Sequence, residues 1–135
     1  MDTMVWSSNY SVGHMLIDEQ HKELFRRINA LGNALWNGEG KDQLAAHLRF
    51  LADYVVSHFQ MEEGLMQENG FPDYMGHKSL HDAFVQEVNE VLGRIASEGL
   101  DSSTAIAVFE KSCDWIRNHV RNVDQRLGKF LASKA

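Results

Sequence analysis

The chain has one proline and one cysteine in 135 residues, no apolar run long enough for a membrane, and no excess of basic charge. Each shortage excludes something. Proline interrupts helices, so a single one leaves room for long helical segments. A lone Cys113 cannot form an internal disulfide, so the fold rests on burial rather than cross-links, and a reducing cytoplasm is the expected location. On the apolar face of its helix, Cys113 reads as a small buried hydrophobe. Without about 20 consecutive apolar residues, no membrane insertion is expected. Met1 to Tyr10 is polar and aromatic, and lacks the basic start and apolar stretch of an export signal. A formal net charge of -6 denies nucleic acid and anionic lipid the basic footprint they need.

What remains is a globular composition, 44% hydrophobic and 24% charged, in a length that suits one domain over residues 1–135. Four stretches carry apolar residues at spacings of three and four. Ile17, Leu24, Ile28, Leu31 and Leu35 mark the first, which Asn37-Gly38-Glu39-Gly40 stops. Leu44, Leu48, Leu51, Val55 and Leu65 mark the second, up to Asn69-Gly70, and Pro72 suits the first turn of the next helix. Phe84, Val88, Val91 and Ile95 mark the third. Asp101-Ser102-Ser103 offers caps for a fourth, which carries Phe109, Cys113, Ile116, Val120, Val123, Leu127 and Phe130. The spacing predicts helices over about 17–37, 41–68, 72–97 and 102–131. Short connections make neighbours antiparallel, so the expected fold is all-α, an up-down-up-down four-helix bundle. Residues 1–15 are expected to form an arm packed on its outside through Trp6 and Tyr10.

Polar residues occupy several slots in these apolar stripes: His21, the pair His58 and Glu62, and the pair His77 and His81. Residues four apart on a helix differ by about 40° in azimuth and about 6 Å in rise, so each pair stacks on one face. His119 and Asp124 are five apart, roughly 140° on a regular helix, and are expected to straddle the buried stripe and reach inward from both its edges. Antiparallel packing puts all seven near one end of the bundle. A single histidine on an apolar stripe is most often a hydrogen-bonded core residue. Seven polar groups at one level cost on the order of several kcal/mol each in desolvation unless something binds them, which favours a metal. Five imidazoles, two carboxylates and no thiolate suit a pair of borderline ions such as iron. His14 and His47 are expected to be exposed and not ligands. Glu19, Glu23, Glu63 and Asp82 flank the ligands and are read as solvated charges or, at most, as groups hydrogen-bonded to a ligand.

The strings Val12-Gly13, Ile17-Asp18-Glu19-Gln20-His21-Lys22, His58-Phe59-x-x-Glu62-Glu63, His77-Lys78-x-x-His81 and Trp115-Ile116-x-Asn118-His119, leading to Asp124 and Leu127-Gly128, together resemble the hemerythrin family in its bacterial form. The likeness runs from about Trp6 to Leu131. It implies a non-haem di-iron centre, oxo- or hydroxo-bridged with two iron ions per chain, that binds dioxygen reversibly. By position it implies one iron on His77, His81 and His119, the other on His21 and His58, and bridges from Glu62 and Asp124. The second iron then has an open position. The resemblance also implies an apolar oxygen pocket lined by Leu24, Phe59, Trp115 and Ile116, although plain core packing is equally compatible with their spacing.

Oxygen-activating di-iron bundles use four carboxylates and two Glu-x-x-His motifs. No Glu-x-x-His occurs in this chain. Binding rather than catalysis is therefore expected, in an oxygen carrier, store or sensor. No signalling segment accompanies the helices, which puts delivery or storage ahead of sensing. The runner-up is a di-iron enzyme acting on peroxide or nitric oxide, and a third reading is a bundle whose metal is structural or is zinc. Dioxygen is the expected partner, with an oxygen-using protein or a reductase beside it.

Overall fold

Helix α1 spans Met15–Trp36, α2 Lys41–Asn69, α3 Tyr74–Glu98 and α4 Ser102–Asn118. A π-helical turn, His119–Val123, joins α4 to α5, Asp124–Ser133, and the three pieces form the fourth rod of an antiparallel bundle. This computed structural model describes residues 3–99 and 101–134 and has no strand among them. The first two residues of the arm and Leu100 lie outside the described residues.

Local chemistry sets the ends. The His14 imidazole accepts from the Ile17 amide at 3.3 Å, and the Asp101 carboxylate accepts from the Thr104 amide at 2.7 Å, each capping a helix start. Gly70, at φ 67°, takes the left-handed conformation that stops α2, and the Phe71 amide returns to the Met66 carbonyl at 2.9 Å. Pro72 lies in the turn before Tyr74 and not in the first turn of α3. The bond from the Tyr74 amide to the Phe71 carbonyl, 3.2 Å, closes that turn around a residue with no amide hydrogen to lose.

Two apolar clusters lie one above the other along the bundle. The larger is built from residues such as Leu24, Phe25, Ile28, Val55, Phe84 and Ile116, and the smaller from Val12, Ile17, Met66 and Leu127. The interval between them on α1, α2 and the fourth rod is where His21, His58 with Glu62, and Asp124 fall. The polar residues are thus roofed and floored by hydrocarbon.

The arm is pinned at both ends. Asn29 accepts from the Met4 amide at 2.9 Å and donates to the Met4 carbonyl at 2.8 Å, while Trp6 and Tyr10 pack edge-on against Phe25. Further on, Asp18 accepts from the Ser11 hydroxyl and the Val12 amide, and Gln125 donates to the Ser11 carbonyl. Val12 then presses its backbone onto Gly128, where an added Cβ would collide with the Val12 carbonyl oxygen and sit 2.7 Å from its Cβ. Gly128→Ala is therefore expected to destabilise the protein by about 1–3 kcal/mol. Gly93→Ala, on an open stretch of α3, should instead stabilise it by roughly 0.5–1 kcal/mol. Urea melts of the two variants compare them directly; equal midpoints would remove the claimed contact.

Candidate metal centre

All seven candidate ligands converge and are buried: His21, Glu62 and Asp124 at 0% exposure, His58 and His81 at 1%, His77 at 2% and His119 at 5%. Each carboxylate turns one oxygen each way. Glu62 Oε2 faces His21 Nε2 at 3.3 Å and His58 Nε2 at 3.0 Å, while Oε1 faces His77 Nε2 at 3.4 Å and His81 Nε2 at 3.3 Å. Asp124 Oδ2 faces His21 Nε2 at 3.0 Å, while Oδ1 faces His77 Nε2 at 3.0 Å and His119 Nε2 at 3.1 Å. Two overlapping groups result: His77, His81 and His119 on one side, His21 and His58 on the other, with Glu62 and Asp124 common to both.

The placement of Asp124 corrects an expectation. On a regular helix, His119 and Asp124 would approach from opposite edges of the stripe. In the π turn the Asp124 amide bonds to the His119 carbonyl, five residues back, so one turn takes one residue more and both side chains reach the same point.

These atoms are close but not aligned for hydrogen bonds. The four oxygens of Glu62 and Asp124, and Nε2 of His21, His58 and His77, are buried without an aligned partner among the described residues. Such a set is costly unless its lone pairs converge on a cation. His81 and His119 bring their Nε2 atoms to 3.1 Å, which one shared proton or one cation can reconcile. The residues therefore fit a pair of cations, and nitrogen and oxygen donors without sulfur suit iron.

Electrostatics agree. Burial pulls the His21 and His77 imidazoles down, but the adjacent Asp124 and Glu62 carboxylates outweigh it and lift both to about 9. Burial pushes Glu62 and Asp124 upward, yet the surrounding imidazoles hold both well below the usual carboxylate range. Without an ion, protons are the counter-charge.

Aromatic rings fix the imidazoles. Phe59 lies flat on His81 at 3.8 Å, and Trp115 on His119 at 4.4 Å. Beside the His21 and His58 group sits a cavity of about 10 Å³, roughly the least that holds one water-sized molecule. Leu24, Phe59, Trp115 and Ile116 border it, together with Val55 and Val120, which sequence reasoning passed over although they stand on the same stripes as His58 and His119. Of the acceptors of the outward imidazole nitrogens, Gln20 was missed, while Glu63 takes the hydrogen-bonding role allowed for it from the sequence. Gln20 Oε1 lies 2.7 Å from His58 Nδ1, and Glu63 Oε2 lies 2.9 Å from His81 Nδ1. Glu19, Glu23 and Asp82 pair with surface lysines and arginines and do not touch the cluster. His14 and His47 stand apart as well, though half-buried rather than exposed, with His47 3.7 Å from Glu39.

Residues 13–131 match the Hemerythrin HHE cation binding domain. The chain belongs to the hemerythrin family. Similar hemerythrin relatives include a bacteriohemerythrin of Pseudomonas paraeruginosa, 33% identical over 92% of this chain and 78% of its own length. A bacteriohemerythrin of Methylococcus capsulatus is 29% identical over 98% of this chain and all of its own, 100%. A hemerythrin-like protein of Naegleria gruberi is 34% identical over 90% of this chain and 87% of its own. The crystal structure of a wild-type hemerythrin superposes at a TM-score of 0.84 with 30% identity, covering 96% of this chain and 98% of the other. A mutant hemerythrin superposes at 0.86 with 30% identity, covering 97% and 98%. The expected fold class and family are thereby borne out. Hemerythrin membership brings a non-haem iron site and marks a binding protein rather than an enzyme. Among the described residues, no helix is long and apolar enough to cross a membrane.

Proposed function

We propose that the chain binds dioxygen reversibly at a pair of iron ions, one held by His77, His81 and His119, the other by His21 and His58, with Glu62 and Asp124 bridging them. The observation that carries this reading is the division of each carboxylate between the two histidine groups. Bound ferrous iron supplies the electrons that dioxygen borrows and returns. The protein's own side chains supply the rest. Gln20 and Glu63 accept the outward protons of His58 and His81, which leaves the inward nitrogens free to donate their lone pairs. The small cavity borders both His21 and His58 but only His119 of the other three imidazoles, so a ligand there would lie nearer the group with fewer imidazoles. Its Leu24, Val55, Phe59, Ile116 and Val120 walls are apolar and would hold bulk water and its protons back from a ligand there. Delivery or storage of oxygen in the cytoplasm is the role this suits, and the buried Cys113 thiol, pushed up to about 11 by burial, is inert there.

Visible spectra test the reading. The ferrous protein should colour in air and bleach when oxygen is stripped away; a single irreversible passage to the ferric state, with turnover when reductant is supplied, would favour an enzyme instead. Ile116→Gln should keep the same iron content, because no candidate ligand is lost, and should hasten decay of the coloured form, because the amide brings a polar group to the cavity. An unchanged decay rate would put the pocket elsewhere.

A further inference from the structure

His58 and His81 each present their outward nitrogen to a side chain from another helix, and the two acceptors differ in charge. Gln20 on α1 offers His58 a neutral amide oxygen at 2.7 Å. Glu63 on α2 offers His81 a carboxylate at 2.9 Å. The Lys78 ammonium pairs with it only at arm's length, 3.9 Å from Glu63 against 2.9 Å from Asp82. Glu63 is 16% exposed, on the floor of a groove of about 710 Å³ between α2 and α3. The Phe59 ring, parallel to His81 within 1°, keeps the imidazole from turning away from it.

We propose that Glu63 is a positioning residue that makes the His81 side of the site the more electron-rich one, while Gln20 leaves the His58 side, next to the cavity, with an ordinary neutral imidazole. The inference rests on the reading of the site as a two-iron centre. A carboxylate draws the Nδ1 proton outward and increases the electron density that Nε2 can donate, which an amide does far less. Electron-rich donors favour the ferric ion. With iron bound, a one-electron outer-sphere reductant would deliver its first electron to the His58 side, the reductant losing that electron and no bond being made or broken. The asymmetry leaves the ion beside the cavity as the better electron acceptor of the two.

Charge and shape can be separated by exchange of the two acceptors. Glu63→Gln keeps an acceptor oxygen in place without its charge, and Gln20→Glu adds a charge at the other position. In protein loaded with zinc alone, the Nδ1 proton resonance of His81 should lie downfield of that of His58, and Glu63→Gln should bring it to the His58 range. In iron-loaded protein at fixed potential, Glu63→Gln should raise the ratio of ferrous to ferric iron about tenfold, which is 59 mV per electron. Gln20→Glu should move the ratio the other way. A metal-loaded Glu63→Gln protein with the wild-type resonance and ratio, or a Gln20→Glu protein with the wild-type ratio, overturns the proposal. Failure of the wild-type chain to bind zinc or iron would instead overturn the two-iron reading beneath it.

Discussion

Glu62→Gln is expected to hold at most one iron per chain, against the two proposed for the parent chain, one in each of its overlapping ligand groups. The substitution keeps the volume of a fully buried side chain, so packing is undisturbed and the loss reads out chemistry. An amide has a lone-pair end and an N–H end. Whichever way it turns, one group of imidazoles faces hydrogen atoms where Glu62 Oε1 or Oε2 stood. The negative charge shared between the groups disappears too, and two cations then repel each other with only Asp124 between them. Anaerobic reconstitution with ferrous iron followed by metal analysis measures this. A full complement of iron in the variant would show that Glu62 is a buried carboxylate and not a bridge.

Removal of the metal should have the second large effect, and its sign changes with pH. The metal-free protein keeps the cluster only by protonating it. His21 and His77, raised to about 9 from 6.5, contribute stability that is fully present below pH 6.5 and lost as pH climbs through 9. Glu62 and Asp124 are depressed, so their contribution is present above the ordinary carboxylate range and lost in acid. These are the same contacts counted from opposite partners, and together they are worth on the order of a few kcal/mol. Metal-free protein should thus be most stable between about pH 5 and 6.5 and lose several degrees in melting temperature by pH 9.5. The loaded protein should melt well above the metal-free form at every pH where the ions stay bound, and should not share the alkaline decline, because the ions have replaced the protons. Parallel thermal melts of both forms from pH 5 to 9.5 make the comparison. An alkaline decline of equal size in both would mean that protons and metal do not compete for these imidazoles.

The bundle was legible because its signals are local. Leu24, Ile28 and Leu31, or Leu48, Leu51 and Val55, repeat at the helical period, and Gly70 stops a helix by its own backbone freedom. Stacking of His58 with Glu62 and of His77 with His81 is equally local, since four residues make about one turn. What lay beyond reach depends on other helices. The spacing of His119 and Asp124 does not announce a π turn, because the same five residues fit a regular helix; what the extra residue achieves is to bring both side chains to one point. Gln20 and Glu63 act across to His58 and His81, 38 and 18 positions away, so no spacing rule connects them. Met4 reaching Asn29 and Val12 reaching Gly128 are tertiary contacts of the same kind.

The central claim is a two-iron site that takes up dioxygen and gives it back, and the most direct test is gas uptake set against iron content. Fully ferrous protein, assayed for iron, should absorb one dioxygen for each occupied pair of ligand groups and release the same amount under vacuum, over repeated cycles. Uptake without release, or a chain purified from iron-replete cells with one ion or with zinc in place of iron, would contradict it.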